Sequence, residues 1–468
     1  MKQSKEKDLF WGYVAQMFQF GAGVFVLPYV LHKLPTNQIA IWYIYITLMS
    51  FVSLLDFGFS GTITINVSYI FSGATKLSPE GIAKQITLDH PNYSLLKSMI
   101  LTVKKIYRKI SLISFITMGT IGSIYIYSVA GGKIETKVLA TSWVIIVFSV
   151  AFNVYFMYYE SLLVGSGKIS DFKRITVISK FIYICVSYLA LFFGLGLIGL
   201  AISNIVNVLI VRILSYYAFY TPENKIIIES TSEAQDLFPI LWTNAKKSGM
   251  VSVGSFAITK INLFFVAGFL PLAQAAEFGL ASQLIGFISG LANTAFYTLA
   301  PSLNGYRITN NMKMLKRSFA VGLFLLIAVF LVSGVPLLLL GNKMLLFFGS
   351  KTVLPSRIAI GWMLLTAFLE ANHSISAGMI TTGNTIPYVK PSIFSGIIII
   401  ISTFASLKFT SFGIIGVIGV QFVVQLCYNN WKWPYEMLKS INSSYHELLG
   451  IALSIIKDKC TRKMLWNR

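Results

Sequence analysis

Lys260 and Glu370 stand where apolar side chains are expected. Lys260 lies twelve residues into the apolar stretch that begins at 248. At 1.5 Å per residue that is about 18 Å along a helix, just past the middle of a ~30 Å hydrocarbon core. Glu370 lies midway along the stretch 358–381, with Thr366, His373 and Ala377 on its helical face. An ionisable group at that depth costs ~2.5–3.5 kcal/mol to insert. Each is therefore either a functional group or half of a buried ion pair. No acid shares a helix turn with Lys260, and Glu277 begins the next stretch. Glu370 and His373 can exchange a proton near neutral pH, the range in which histidine responds, or Glu370 pairs with a base on another helix. Asp56 and Glu160 lie toward the inner ends of 39–60 and 138–164, Glu160 on the face of Asn153. They either cap and pair locally or take part in ion coupling. Lys180 and Arg212, in the inner parts of 175–194 and 197–220, are long enough to snorkel to the headgroups.

Three stripes of small and polar residues accompany these charges. Gly12, Gln16, Gln19 and Gly23 recur at spacings of 4, 3 and 4, which is one helical face. Ser248, Ser252, Ser255 and Thr259 repeat that spacing, and Gly279, Gln283, Gly286, Gly290 and Asn293 extend it. Such faces point inward, either to glue helices together or to line a cavity. Other chemistry is missing. Gly165-Ser166-Gly167-Lys168 lacks the spacing of a phosphate loop. Glu370 and His373 have the spacing of a metal-ligand pair but no matching second pair, so no metal site is expected. Cys185, Cys427 and Cys460 are too far apart for a metal motif or a disulfide framework. No Ser-His-Asp order is evident. Neither enzyme activity nor a cofactor is expected.

The elements that must position these residues are membrane helices. Only 12% of the 468 residues are charged and 55% are apolar, against about 25% charged in a soluble protein. Soluble enzymes, disordered chains and coiled coils are thereby unlikely readings. A net charge of +21 would suggest nucleic acid in a soluble protein; on this apolar background it reads as membrane orientation. Twelve spans of ~20 residues are expected, at 10–31, 39–60, 109–130, 138–164, 175–194, 197–220, 248–270, 276–300, 318–340, 358–381, 391–407 and 413–431. The first follows Lys2, Lys5 and Lys7 but is too long for a signal peptide's apolar core and lacks a cleavage site. With both termini cytoplasmic, 28 Lys and Arg fall inside and 7 outside, a strong positive-inside bias. Trp431 and Trp433 flank Lys432 as interfacial anchors. The longest loop is 72–108, and Leu448–Ile456 is too short to span, so the tail is expected along the inner interface as an amphipathic helix.

A shift of 236 residues lays the first hairpin on the seventh and eighth spans without gaps. Leu34-Pro35 falls on Leu270-Pro271, Gln38 on Gln274, Ala40 on Ala276, Phe51 on Phe287 and Ser53 on Ser289. The polar stripes recur at the same offset, which favours a cavity lining over packing alone. Six spans per half is even, so the halves are related by an axis along the membrane normal. The expected fold is an all-α integral membrane protein with two pseudo-symmetric six-helix bundles around a central cleft, a transporter architecture. The expected divisions are lobes at 1–221 and 246–434, a cytoplasmic linker at 222–245 and a cytoplasmic tail at 435–468.

The run Leu54-Leu55-Asp56-Phe57-Gly58-Phe59-Ser60-Gly61, followed by Asn66-Val67-Ser68-Tyr69 and Phe71-Ser72-Gly73-Ala74, resembles O-antigen flippases of the Wzx type. These form part of the polysaccharide transporter family in the multidrug/oligosaccharidyl-lipid/polysaccharide exporter superfamily. Tyr159-Glu160-Ser161-Leu162-Leu163 with Gly165, Gly167 and Lys168, Gly194–Gly199, Leu241-Trp242 with Asn244-Ala245, Ala300-Pro301 and Asn310-Asn311 are similar too. The resemblance covers residues 10–320, and the last four spans only by hydropathy. It implies a flippase in the bacterial inner membrane that serves lipopolysaccharide biosynthesis. The implied substrate is an undecaprenyl-diphosphate-linked oligosaccharide, moved from the inner to the outer leaflet by alternating access. Membrane lipid and other polysaccharide-assembly proteins are the implied partners; nucleic acid is not. On that reading Lys260, with Lys180 second, contacts the diphosphate or an acidic sugar. Gln16, Gln19, Ser252, Ser255 and Gln283 bond glycan hydroxyls, and Glu370, His373, Asp56 and Glu160 are candidates for ion coupling. The family has no matching motif for Lys260, whose role rests on position. A multidrug–cation antiporter of the same superfamily, with a more acidic and aromatic cleft, and a membrane glycosyltransferase or polymerase are the alternatives.

Overall fold

The computed structural model describes residues 2–71, 73–77, 90–221, 235–308, 311–382 and 387–466. Lys84, Lys225 and Asn310 lie outside them, as does the side chain of Gln16. The chain is all-α, as the apolar stretches require. Among the described residues, eleven helices are long and apolar enough to cross a membrane. The remaining expected span falls on α1 (Lys2–Lys33), a 32-residue helix. The helices pack as two compact units, Met1–Gly279 with Phe348–Thr352, and Leu280–Phe347 with Val353–Arg468.

In the first unit, α2 (Thr36–Ser53) lies in the candidate span Thr36–Asp56, and α3 (Phe59–Phe71) follows the break at Leu54–Gly58. Next come α4 (Tyr93–Ala130), α5 (Thr136–Tyr155), α6 (Tyr158–Gly165), α7 (Ile169–Phe192) and α8 (Gly196–Phe219). α9 (Phe238–Thr259) and α10 (Ile261–Phe269) follow. α1 packs on α7, α7 on α8, α8 on α5, α3 on α6 and α9 on α3. Tyr29 stacks on Tyr188 at 5.1 Å, and the Tyr188 hydroxyl donates to the Phe25 carbonyl at 2.9 Å. Residues 348–352 return to the first hairpin: Lys351 N–H donates to Leu31 at 3.1 Å and Thr36 Oγ1 to the Lys351 carbonyl at 3.1 Å.

The second unit holds most of α11 (Leu272–Ile308), then α12 (Met312–Phe347), α13 (Arg357–Thr381), α14 (Val389–Phe409), α15 (Gly413–Cys427), α16 (Asn429–Ile441) and α17 (Tyr445–Trp466). One apolar core joins Phe296, Phe319, Leu326, Ile375, Met437, Ile441, Leu448 and Ala452.

The repeat is visible in the hydrogen bonds. Leu34 N–H bonds Val30 at 2.9 Å, and Gln38 and Ile39 N–H bond Pro35 at 3.0 and 3.1 Å. Shifted by 236, Leu270 bonds Val266 at 2.9 Å, and Gln274 and Ala275 bond Pro271 at 2.9 and 3.2 Å. α4 and α12 also correspond. Each starts on an asparagine cap, Asn92 accepting from Leu95 N–H and Asn311 from Met314 N–H, both at 3.1 Å. Each then carries a π-turn ending in glycine, Met118–Gly122 and Phe330–Gly334.

Three expectations are corrected. The stretch 72–108 is not all loop: α4 begins at Tyr93, because Leu95, Met99, Val103 and Ile106 form a buried stripe at helical spacing beneath its lysines. Trp433 is buried, its Nε1 donating to Asn429 Oδ1 at 3.0 Å, while Trp431 remains exposed. The tail does not merely lie along a surface. Leu448 and Ala452 of α17 are fully buried in the second core, and Lys316 Nζ binds both Glu447 at 3.0 Å and the Asn442 carbonyl at 2.7 Å.

Candidate functional site

Lys260 sits at a break in a membrane helix. α9 ends at Thr259, Lys260 takes φ −119° and ψ −25°, and α10 starts at Ile261. Ser248, Ser252, Ser255, Thr259 and Lys260 are all exposed, while Gly249, Phe256, Ala257 and Ile258 are buried. Close packing explains the buried side: the Phe57 ring fills the space a side chain at Gly249 would need. Ser252 and Thr259 donate to the carbonyls four residues back, at 3.1 and 2.8 Å, which leaves their oxygens free to accept. Lys260 makes no ion pair among the described residues. The face is thus a row of hydroxyls ending in a cation at a point where the helix is interrupted. Broken membrane helices build solute and ion sites in this way in transporters.

The other expected substrate contacts are spread over separate helices. Lys180, half-buried on α7, places Nζ 5.6 Å from the ring centre of Tyr183, a cation–π distance. Gln19 is exposed on α1. Gln283 is half-buried and belongs to the second unit.

Asp56 ends the short helical turn at the break between α2 and α3, and Phe57 and Gly58 follow with φ of 47° and 77°. Its carboxylate accepts from Ser60 N–H at 3.1 Å, from Ser60 Oγ at 2.5 Å and from the Tyr107 hydroxyl. Bonds to the first turn of α3 are those of a helix cap. Glu160 stands just past a second break, between α5 and α6 at Phe156-Met157. Its Oε2 lies 4.0 Å from Arg212 Nη1. Arg212 is 6% exposed, and its Nε and Nη2 both donate to Asn153 Oδ1, at 3.0 and 2.7 Å. Around this cluster Tyr159 lies 4.5 Å from Tyr158 and 5.6 Å from Tyr216, and Tyr216 lies 4.9 Å from Tyr220, ring centre to ring centre. The structure therefore brings Glu160, Asn153 and Arg212 together. It buries the arginine instead of letting it reach the headgroups.

Glu370 and His373 face each other along α13, Oε2 to Nδ1 at 3.8 Å, with side chains 17% and 15% exposed. That separation is an electrostatic contact and too long for a hydrogen bond. Glu370 Oε1 and His373 Nδ1 are buried with no hydrogen-bond partner among the described residues. No lysine or arginine of another helix pairs with Glu370 among the described residues.

Sequence reasoning missed two participants, Tyr107 and Arg212. Tyr107 was hidden in an expected loop, although it continues the buried stripe of α4. From sequence Arg212 is long enough to snorkel to the headgroups, whereas the structure holds it on Asn153 and beside Glu160. The lookalike Gly165–Lys168 has a structural role: Gly165 lets α6 approach the backbone of Thr64, and Lys168 Nζ bonds the Ala218 carbonyl at the end of α8, at 2.8 Å.

No family model matches the chain, and no curated protein matches it. Its fold is shared with solved structures. An inward-facing multidrug resistance MATE family transporter of the MOP superfamily superposes with a TM-score of 0.67 at 10% identity, covering 93% of this chain and 99% of that one. The lipid II flippase MurJ in an inward closed conformation gives 0.62 at 16% identity, covering 94% and 90%. A MOP superfamily transporter from Pyrococcus furiosus, described by the reverse polarity of its binding pocket, gives 0.54 at 12% identity, covering 95% and 97%. The chain thus shares the fold of these solved structures.

Proposed function

We propose that this protein is a flippase of the bacterial inner membrane that carries undecaprenyl-diphosphate-linked O-antigen repeat units from the cytoplasmic to the periplasmic leaflet. The observation that carries the reading is Lys260: a cation with no acidic partner among the described residues, at a helix break, at the end of a row of hydroxyl acceptors. A lone ammonium in low dielectric favours an anionic group such as a diphosphate or acidic sugar. The hydroxyl row suits the glycan that follows. Within the same fold a lipid II flippase and multidrug transporters both occur, so the polarity of the site, not the fold, decides the cargo. A cationic drug would need an available acid. On the helices around Lys260, Asp56 is already committed to three hydrogen bonds and Glu160 faces Arg212; Glu370, in the second unit, faces His373 and is assigned to coupling in this reading.

Transport by alternating access needs a driving force, and protonation of the Glu370–His373 pair is the proposed one. The decisive experiment concerns Lys260. Lys260→Ala should abolish surface O-antigen while the protein still inserts, and Lys260→Arg should retain part of it. Normal surface glycan in the alanine variant rejects the reading. Resistance to cationic dyes that depends on Asp56 or Glu160, with glycan unaffected, would establish the antiporter instead.

A further inference from the structure

A groove of about 490 Å³ lies between α14 and α15, and none of the proposed substrate-contact or coupling residues lines it. Lys390 and Pro391 form one end with Cys427 and Tyr428, because the two helices run antiparallel. Phe394, Ile398, Val423 and Val424 form the walls. Phe394 is 70% exposed and Val423 56%. Lys390 and Ile398 are eight residues apart, about 12 Å along a helix. Lys390 is exposed and pairs with no acid among the described residues.

The groove has a polar end and an apolar end, and its surroundings orient it in the membrane. Tyr428 and Trp431 are both exposed at the Lys390 end, as aromatic residues are at the boundary between headgroups and acyl chains. The break at Tyr428, with φ −144° and ψ −64°, ends α15 at that level. Ser395, the one hydroxyl in the walls, already accepts from Asn429 Nδ2 at 2.9 Å, so the remaining wall offers contact area but no polar demand. The N-terminal end of α14 lies beside Lys390, and the helix dipole favours negative charge there.

We propose that this groove is a site for an anionic phospholipid of the leaflet on the C-terminal side, with its phosphate on Lys390 and an acyl chain along Phe394, Ile398, Val423 and Val424. Charge complementarity selects the headgroup; the apolar walls hold the chain without selecting it. The site is independent of the transported cargo, since no residue proposed to contact that cargo belongs to it. Its failure would leave the flippase reading standing, and the reverse holds too.

Native mass spectrometry of the full-length purified protein tests this with phosphatidylglycerol and phosphatidylcholine of identical chains. One lysine near the surface should give about a fivefold preference for phosphatidylglycerol. Lys390→Glu should abolish the preference, Lys390→Arg should keep it, and Val423→Trp, which fills the wall, should lower retention of both lipids. Equal retention of the two lipids by the wild type overturns the proposal, as does a preference that survives Lys390→Glu. Displacement of phosphatidylglycerol by undecaprenyl phosphate also overturns it, because the groove would then belong to the cargo.

Discussion

Arg212 and Glu370 show two ways of keeping a charge in a membrane bundle. Arg212 is held by a neutral amide: Nε and Nη2 share Asn153 Oδ1, while the carboxylate of Glu160 stands farther off at 4.0 Å and is 42% exposed. Asn153→Ala should therefore cost about 1.5–3 kcal/mol, the range for hydrogen bonds to a charge. Glu160→Gln should cost less, because its 4.0 Å contact with Arg212 is longer than the two direct bonds to Asn153. Thermal unfolding of the purified variants gives the order, and the opposite order would assign the arginine to Glu160. Glu370, the proposed coupling site, has no such partner among the described residues, and its Oε1 and the Nδ1 of His373 are buried without a hydrogen bond there. Glu370→Gln mimics the protonated acid, so it should arrest flipping while cargo binding persists. Flipping by the wild type in proteoliposomes should respond to an imposed pH gradient. Indifference to the gradient, with normal flipping by the Gln variant, removes Glu370 as the coupling site.

Helix breaks and close crossings carry the geometry one level up. At the α2–α3 break Gly58 has φ +77°, and a Cβ there would stand 2.6 Å from Ser248 Cβ of α9. Gly58→Ala should cost more than the ~1–2 kcal/mol of the left-handed conformation alone, because α9 must also move. Lower yield and a lower unfolding temperature, with the hydroxyl row of α9 displaced, are the expected outcome. Full stability of Gly58→Ala would contradict the close approach. The start of α17 makes a pH prediction. Ser443 and Lys316 hydrogen bonds hold the Glu447 carboxyl below its ordinary range. A lowered carboxyl pKa stabilises the folded arrangement above the unfolded value of about 4.3. That contribution is lost as pH falls through the lowered value. Amide protection across 445–452, taken relative to the intrinsic exchange rate at each pH, should therefore fall below about pH 4.3. Glu447→Gln should lack that protection at every pH.

For the molecule as a whole, the basic bias expects both termini in the cytoplasm. Position 133 should then be labelled from outside by an impermeant maleimide, and position 313 only after permeabilisation, in a background lacking Cys185, Cys427 and Cys460. The return of residues 348–352 to the first hairpin fits that sidedness, since Lys33 and Lys351 are both expected outside. Labelling at 313 alone would reverse the orientation and the direction of transport.

Hydropathy and charge in the linear chain were enough for the all-α membrane fold and for the repeat, because a bilayer imposes span length and a translocated loop disfavours lysine regardless of packing. The offset of 236 was legible for the same local reason: Leu-Pro followed three residues later by Gln builds the same turn twice. Lys260 and Glu370 were legible as charges out of place. Their circumstances were decided only in three dimensions. Which face of α9 is left open for the hydroxyl row depends on how α9 packs against Phe57 and Gly58. The burial of Arg212 depends on Asn153 arriving from another span. The docking of α17 into the second core needs an apolar face on α12 to receive it. A periodic pattern says which face of a helix is apolar, but which neighbour meets that face is settled by long-range packing, and so are the partners of every buried charge.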